Sequence, residues 1–297
     1  ELAEICRLRP RSPSWDSPYT KTFLLLQAHF SRLALPNSDY LTDTKSALDN
    51  ATRVMQAMVD YTAERGWLST TLKVQQLMQS VIQARWFDES EFLTLPHVTA
   101  TNVHLFFKIQ HNYEHLTLPA LKDICRNDYE KLAGPLRDMF EEPEIEQIYK
   151  VLQNLPEISV NISIQGRHYE QMEDVREIPT DFNSNVWTKI HPNEDYVLCI
   201  NMKRLNTNRY HSTAIHCPKY PKGKNEAWFL TLGSQGTDEL LAMKRVNIRG
   251  LKASNRITFQ CPPRKGRLLL TLYLMSDCLI GFDQQFDLQF EIVDAKE

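Results

Sequence analysis

The stretch Pro156-Glu157-Ile158-Ser159-Val160-Asn161-Ile162-Ser163-Ile164 is where the hydrophobic pattern of the sequence changes. After Pro156, apolar residues alternate with polar ones at Val160, Ile162 and Ile164. Successive side chains of a β-strand point to opposite faces of a sheet, so a period of two is typical of a strand with one buried face. The sequence therefore predicts that β structure begins just after Pro156.

The sequence that follows contains further short segments with the character of strands. The predicted strands are 160–164, 198–202, 228–232, 240–246, 256–261, 268–275 and 286–292. Seven short strands in about 140 residues favour a β-sandwich of the immunoglobulin type. The segment 166–194 is polar and acidic, and we expect it to form a long loop that interrupts the sandwich.

The sequence that precedes the strands has its apolar residues at helical spacing instead. Ser17-Pro18 predicts an N-cap followed by proline in the first turn, and this helix is expected to end before Pro36. The other predicted helices are 43–65, 69–86, 99–109, 118–126, 128–132 and 143–155. Together these elements predict an α+β multidomain chain, with an all-α helical bundle over 1–110, a helix-loop-helix unit over 111–156 and the β-sandwich over 157–297.

The predicted helix 43–65 is long and amphipathic. Its apolar stripe includes Val54 and Met58, and Gly66 follows it as a stop signal. In the next helix, Leu77 is likewise expected to face inward. The sequence therefore predicts that these side chains contribute to the core of the bundle.

The polar side of helix 43–65 is a candidate surface for nucleic-acid contact. Arg53 projects opposite the apolar stripe, and Asn50 and Gln56 lie near the same edge. The same face also carries three acidic residues, Asp49, Asp60 and Glu64. These acids weaken the case for a phosphate-binding surface, and amphipathicity alone favours the alternative of a solvated helix face.

The composition limits the class of protein. Hydrophobic residues make up 42% of the chain and charged residues 24%, which is typical of a folded protein. No apolar run approaches the roughly 18 residues that a membrane helix needs. The six cysteines are scattered without a CxxC pair, which favours reduced thiols in a protein of the nucleus and cytosol. The chain starts at Glu1 in helix-like sequence without Met, so we expect a piece of a longer protein.

Basic residues are concentrated in one segment of the chain. Between Asn201 and Arg267 there are 14 Lys and Arg residues against 3 acidic ones, although the whole chain has a net charge of −3. The candidate residues of a basic partner surface are Lys219, Lys222, Lys224, Lys244 and Arg245. Because strand residues alternate, Lys244 and Arg245 are expected to point to opposite faces. Solvated strand edges protected by lysine are the open alternative.

The sequence contains only incomplete matches to catalytic motifs. His111-Asn112-Tyr113-Glu114-His115 matches a zinc-peptidase pattern, but it lies in a short connector instead of a long buried helix. No phosphate-binding loop of the Walker type occurs in the sequence, and Asp88-Glu89-Ser90-Glu91 lacks the final His of a helicase acidic box. We therefore expect this chain to have no catalytic residues, no metal and no cofactor of its own.

Five stretches are distinctive enough to indicate a family. They are Asp16-Ser17-Pro18-Tyr19-Thr20-Lys21-Thr22-Phe23-Leu24-Leu25-Leu26-Gln27-Ala28-His29-Phe30-Ser31-Arg32, Arg65-Gly66-Trp67-Leu68, Ala227-Trp228-Phe229-Leu230-Thr231-Leu232-Gly233, Thr271-Leu272-Tyr273-Leu274-Met275-Ser276-Asp277-Cys278 and Gly281-Phe282-Asp283-Gln284-Gln285. Together they resemble the Sec-sixty-three homology unit that ends each cassette of the large Ski-two-like superfamily 2 helicases. Within that family the chain is most similar to the branch of the helicase subunits of the activating signal cointegrator complex, and less so to the spliceosomal two-hundred-kilodalton helicases.

The resemblance implies a fold and a role. It implies a helical bundle, a helix-loop-helix unit and a fibronectin type III or immunoglobulin-like sandwich. It also implies that 43–65 is the ratchet helix, over which the translocating single strand passes, with Asn50 and Arg53 at the matching contact positions. The chain would then be a non-catalytic accessory module of an ATP-dependent DNA or RNA helicase. Its partners would be the helicase core of the same polypeptide, the subunits of a larger complex and, weakly, single-stranded nucleic acid.

Two other functional classes are compatible with the sequence. The same homology unit occurs in the endoplasmic-reticulum translocation protein for which it is named, but that relative has membrane helices and a J domain, neither of which is visible in this sequence. The third class is a protein-interaction platform without nucleic-acid contact. Salt-dependent binding of single strands distinguishes the helicase role from the platform.

Overall fold

The structure is an α+β fold in which helices precede two β-sheets. This computed structural model describes residues 2–10, 14–109, 116–166, 176–179, 186–206 and 213–294. The α-helices of these residues are α1 (Leu2–Ile5), α2 (Pro18–Phe30), α3 (Ser38–Glu64), α4 (Leu68–Gln83), α5 (Leu118–Cys125), α6 (Tyr129–Leu136) and α7 (Glu142–Asn154). The strands are β1 (Ile158–Gly166), β2 (Arg176–Glu177), β3 (Thr188–Ile190), β4 (Asp195–Arg204), β5 (Trp228–Ser234), β6 (Glu239–Val246), β7 (Lys252–Gln260), β8 (Gly266–Ser276) and β9 (Gln284–Ile292).

The helix boundaries follow the capping residues more closely than the apolar periodicity. Ser17 caps α2 as predicted, and its hydroxyl accepts a hydrogen bond from the Tyr19 amide at 3.3 Å. The helix ends before Pro36, as predicted: α2 stops at Phe30, and the chain then turns through Arg32 with a φ of 53°. The long helix starts earlier than predicted, since Asn37 caps it by accepting from the Tyr40 amide at 3.0 Å.

Two of the shorter predicted helices differ in type or length. The segment predicted over 99–109 forms a 3-10 helix at Val103–Lys108. The helix predicted over 128–132 continues to Leu136, with Pro135 inside it. Short helices are held mainly by tertiary packing, so their periodicity locates them less well than it locates long ones.

All seven predicted strands are present, and they belong to two sheets. One sheet has the order β2-β1-β4-β7 and the other has the order β3-β9-β8-β5-β6. The expectation of a strand-free loop over 166–194 is wrong, because β2 pairs with β1 and β3 pairs in parallel with β9 in the described part of that segment. Strands of two and three residues are too short to show a period of two.

The second sheet has apolar residues on both faces. Trp228, Leu230 and Leu232 of β5 belong to the core between the sheets. Phe229 of β5 and Met275 of β8 belong instead to a core shared with α2, α3 and α4. Because both faces are covered, β5 and β8 are almost continuously apolar, as strands buried on two sides usually are. This arrangement places the helical bundle directly against the sandwich.

The helical half joins the sandwich at the end of α7. The carbonyl of Leu155 accepts hydrogen bonds from Lys122 Nζ of α5 at 2.5 Å and from Asn206 Nδ2 at 3.0 Å. One hydrophobic cluster continues from α5, α6 and α7 into both sheets. The predicted boundary near 156 coincides with the change from helix to strand, and the independence of the two halves stays a prediction.

Candidate nucleic-acid interface

Helix α3 is the longest helix in the described part of the molecule. It has 27 residues, which corresponds to about 40 Å at 1.5 Å per residue. Its buried residues, including Leu48, Met55 and Val59, face the bundle and the sandwich. The opposite side is exposed and carries Arg53 and Asp60, but the exposed residues of α3 also include the apolar Val54 and Met58.

The three predicted contact residues of α3 have different surroundings. Asn50 is exposed, and its side-chain amide donates to the carbonyl of Ser46 at 3.0 Å. Arg53 is exposed and has no hydrogen bond or ion pair with any residue that the structure describes. Gln56 is half-buried, and its main-chain carbonyl accepts a hydrogen bond from Nη2 of Arg245 at 3.0 Å. Arg53 is therefore the predicted residue best able to accept a phosphate as partner.

Two of the acids on α3 are paired with basic residues of the sandwich. Oδ2 of Asp49 lies 2.8 Å from Nζ of Lys222, and this pairing raises the pKa of Lys222. Oδ1 of Asp60 lies 2.8 Å from Nη2 of Arg245. The structure thus brings together two sets of residues that the sequence presented as separate candidates.

The other basic candidates lie in different places. Lys224 pairs with the buried Asp277; burial opposes its charge, but the carboxylate raises the pKa of Lys224 overall. Lys244 donates to the Arg256 carbonyl of β7 at 3.5 Å, so it points away from the α3 side that Arg245 contacts, as the strand alternation predicted. Lys219 is exposed. These residues therefore do not act together on one free surface.

Residues 1–289 match the sequence profile of the Sec63 Brl domain. The chain belongs to the Sec63 Brl domain family. This assignment confirms the resemblance predicted from the five sequence stretches.

The curated relatives of this Sec63 Brl domain are much larger proteins, of which it matches a small part. It is 37% identical to activating signal cointegrator 1 complex subunit 3 of Rattus norvegicus and of Homo sapiens, over 99% of this chain and 14% of each relative. It is 32% identical to the DExH-box ATP-dependent RNA helicase DExH14 of Arabidopsis thaliana, over 92% of this chain and 11% of that protein. The chain thus spans less than a sixth of the length of these relatives.

An apolar groove on the Sec63 Brl domain was not predicted from the sequence. It has a volume of about 840 Å³, lies between α2, α3 and α4, and is lined by residues that include Phe23, Asn50, Val54 and Leu77. The expectation that Val54, Met58 and Leu77 face inward is wrong, since they are 58%, 42% and 42% exposed. Periodicity gives the direction of a side chain on its helix but does not show whether a neighbouring helix covers it.

The other sequence predictions concern metal binding, membrane helices and cysteines. The His111–His115 motif lies outside the described residues. Within the described ranges, no group of three or more His, Cys, Asp or Glu residues is placed to hold a metal ion. None of the helices in those ranges is long and apolar enough to cross a membrane. All six cysteines are free thiols.

Proposed function

We propose that this Sec63 Brl domain is a non-catalytic accessory module of an ATP-dependent nucleic-acid helicase, which supports strand translocation and the docking of partner subunits. Its family membership and the helicases among its relatives support this proposal. The lack of a Walker-type phosphate loop in the sequence is consistent with ATP hydrolysis by another part of the polypeptide. The module needs no cofactor in this role.

The observation that carries the proposal is the position of Arg53 on α3. Its guanidinium is exposed on the polar side of the longest helix, with Asn50 one turn before it. A guanidinium can hold a phosphate with two hydrogen bonds. In this proposal α3 is the ratchet helix, and Arg53 and Asn50 contact the backbone of a single strand that the helicase core moves past them.

The sandwich is the part proposed for docking partner subunits. We assign it to the immunoglobulin-like, fibronectin type III class, and its strand order supports this. The order β1-β4-β7 faces β9-β8-β5-β6, and each sheet contains neighbours that are distant in sequence, as Greek-key connections produce. The proposed partners are the helicase core of the same polypeptide and the subunits of a larger complex in the nucleus and cytosol.

The test is an unwinding assay on a helicase cassette that contains this domain. Arg53→Glu is expected to slow unwinding several-fold and to leave the fold intact, because the side chain is exposed. The matched control is Arg264→Glu, which changes an exposed arginine in the loop before β8. Equal unwinding by the Arg53→Glu and Arg264→Glu cassettes would contradict the proposed contact.

A protein-interaction platform is the second candidate, and the apolar groove favours it. Solvent-exposed apolar side chains that line a groove are typical of protein docking sites. Phe23 and Val54 are 37% and 58% exposed there. If the folded Arg53→Glu cassette unwinds at the normal rate, the platform becomes the better description of this domain.

A further inference from the structure

We infer that Lys222 and Arg245 of the sandwich are positioning residues that neutralise Asp49 and Asp60, and that this neutralisation allows α3 to accept a nucleic-acid backbone. The inference rests on the proposed function, because it concerns the regulation of the same surface. It assigns the two basic residues an action through the acids of α3 instead of direct contact with phosphate.

Helix α3 alone is poorly suited to a polyanion. Asp49 lies four residues before Arg53 and Asp60 seven residues after it, which places the acids about 6 Å and 10 Å away along the axis. Residues separated by four and seven positions lie on the same side of a helix. A phosphate at Arg53 would therefore approach two carboxylates, and Coulomb repulsion would oppose its binding.

The sandwich supplies one cation for each of these acids. Lys222 comes from the segment before β5, and its Nζ lies 2.8 Å from Asp49. Arg245 comes from β6, and its Nη2 donates both to Asp60 at 2.8 Å and to the Gln56 carbonyl at 3.0 Å. With both pairs formed, the charges on this side of α3 without a partner among the described residues include Lys45, Arg53 and Glu64.

Neighbouring contacts keep both cations close to the helix. The guanidinium of Arg245 also lies over the Phe229 ring, 5.6 Å from its centroid, so an aromatic side chain supports it from the sandwich side. The hydroxyl of Tyr220, two residues before Lys222, forms a 2.9 Å hydrogen bond with Thr52 of α3. Nη2 of Arg245 serves two acceptors on α3, and Nζ of Lys222 is paired with one, so both residues are placed to cancel charge on that helix.

The test measures binding of fluorescein-labelled oligouridine and oligothymidine by anisotropy over a series of salt concentrations. Lys222→Ala and Arg245→Ala are each expected to weaken binding about threefold at low salt, because each leaves one carboxylate unpaired near the strand. The double variants Asp49→Asn/Lys222→Ala and Asp60→Asn/Arg245→Ala remove both charges of a pair. They are expected to restore wild-type affinity and the wild-type salt slope.

Direct contact of Lys222 or Arg245 with phosphate would give a different result. If Lys222 or Arg245 contacts phosphate directly, the double variant stays weaker than wild type, and its salt slope falls by about 0.7 for each lost contact. That outcome overturns the inference, as does a single variant that binds like wild type. Lys265→Ala is the matched control, because Lys265 forms an exposed ion pair with Asp294. This pair lies at the start of β8, roughly 30 Å along the strand from the end that is next to Arg245. Circular dichroism confirms that each variant is folded.

The two proposals fail in different ways. If Arg53→Glu leaves binding of both strands unchanged, the proposed contact on α3 is wrong and the inference falls with it. If Arg53→Glu weakens binding but the double variants are not restored, only the neutralising role of the sandwich is wrong.

Discussion

Nζ of Lys122 donates a 2.5 Å hydrogen bond to the carbonyl of Leu155, at the point where the helical half ends. The Lys122 side chain is only 4% exposed, and Glu157 is its nearest acid, at 3.8 Å. Burial lowers the pKa of Lys122 to about 8, and Glu157 offsets only part of that effect. A buried ammonium thus connects α5 to the junction between the two halves.

This lysine predicts a pH dependence of stability. Its pKa is about 8 in the folded state and about 10.4 in an unfolded chain, so the unfolded state binds more protons between these values. Stability relative to a Lys122→Met variant is therefore expected to rise with pH over that range, by at most about 3 kcal/mol. Urea unfolding at several pH values measures the difference. Lys131→Met, at an exposed lysine of α6, serves as control, and a flat difference for Lys122→Met would contradict the prediction.

Gly233 predicts a second, purely steric effect. A Cβ atom at this position would lie 2.6 Å from the Glu239 carbonyl oxygen and 2.8 Å from a methyl group of Leu68. Gly233→Ala is expected to destabilise the domain by about 1–3 kcal/mol, because α4 cannot approach β5 as closely. Gly236→Ala in the same hairpin meets nothing within 4 Å and is expected to change stability by less than about 0.5 kcal/mol. Thermal unfolding of both variants measures the difference. Equal melting temperatures would contradict the close packing of α4 on β5 at Gly233.

The sandwich is expected to fold without the helices, although less stably. In residues 158–297 expressed alone, Phe229, Tyr273 and Met275 lose the helices that cover them. We expect a β-type circular dichroism spectrum together with a lower melting temperature than that of the full chain. A random-coil spectrum would show that the sandwich requires the helical half.

Substitutions at the face that the helices cover test the same interface. Phe229→Thr and Met275→Thr are expected to improve the solubility of the isolated sandwich, because they remove exposed apolar area. The same changes are expected to destabilise the full chain by about 2–4 kcal/mol each, because there both side chains are buried. Variants that leave the stability of the full chain unchanged, or that lower the solubility of the isolated sandwich, would contradict the proposed interface.

ATP hydrolysis is expected to be absent from the isolated chain. Its sequence contains no Walker-type loop to hold the phosphates of a nucleotide. A phosphate-release assay on purified protein checks this, with heat-denatured protein as the blank. Turnover above the blank that persists through further purification would contradict the assignment as an accessory module.

Zinc is also expected to be absent from the purified chain. His111 and His115 lie in a short connector of the sequence, and a zinc site needs further ligands held on a second element. Elemental analysis is the direct measurement. Stoichiometric zinc that disappears in a His111→Ala variant would establish the site that we do not expect.

Much of the architecture is a local property of the sequence. The alternation at Val160, Ile162 and Ile164 correctly placed β1, and Ser17 correctly marked the start of α2. Strand periodicity and helix capping depend on a few consecutive residues, so they can be recognised without knowledge of distant contacts. The family could be identified for a related reason, because its motifs are short continuous stretches.

Local sequence patterns predicted only part of the candidate site. The sequence by itself identified α3 as amphipathic, with Arg53 on its polar side and Asp49 and Asp60 beside it. Only the tertiary structure decided that Lys222 and Arg245, far along the chain, pair with those acids. It also decided that Val54 remains exposed in a groove. Periodicity gives the direction in which a side chain points on its own helix, but its charge partner and its cover come from elements that reach it through the packing of the whole fold.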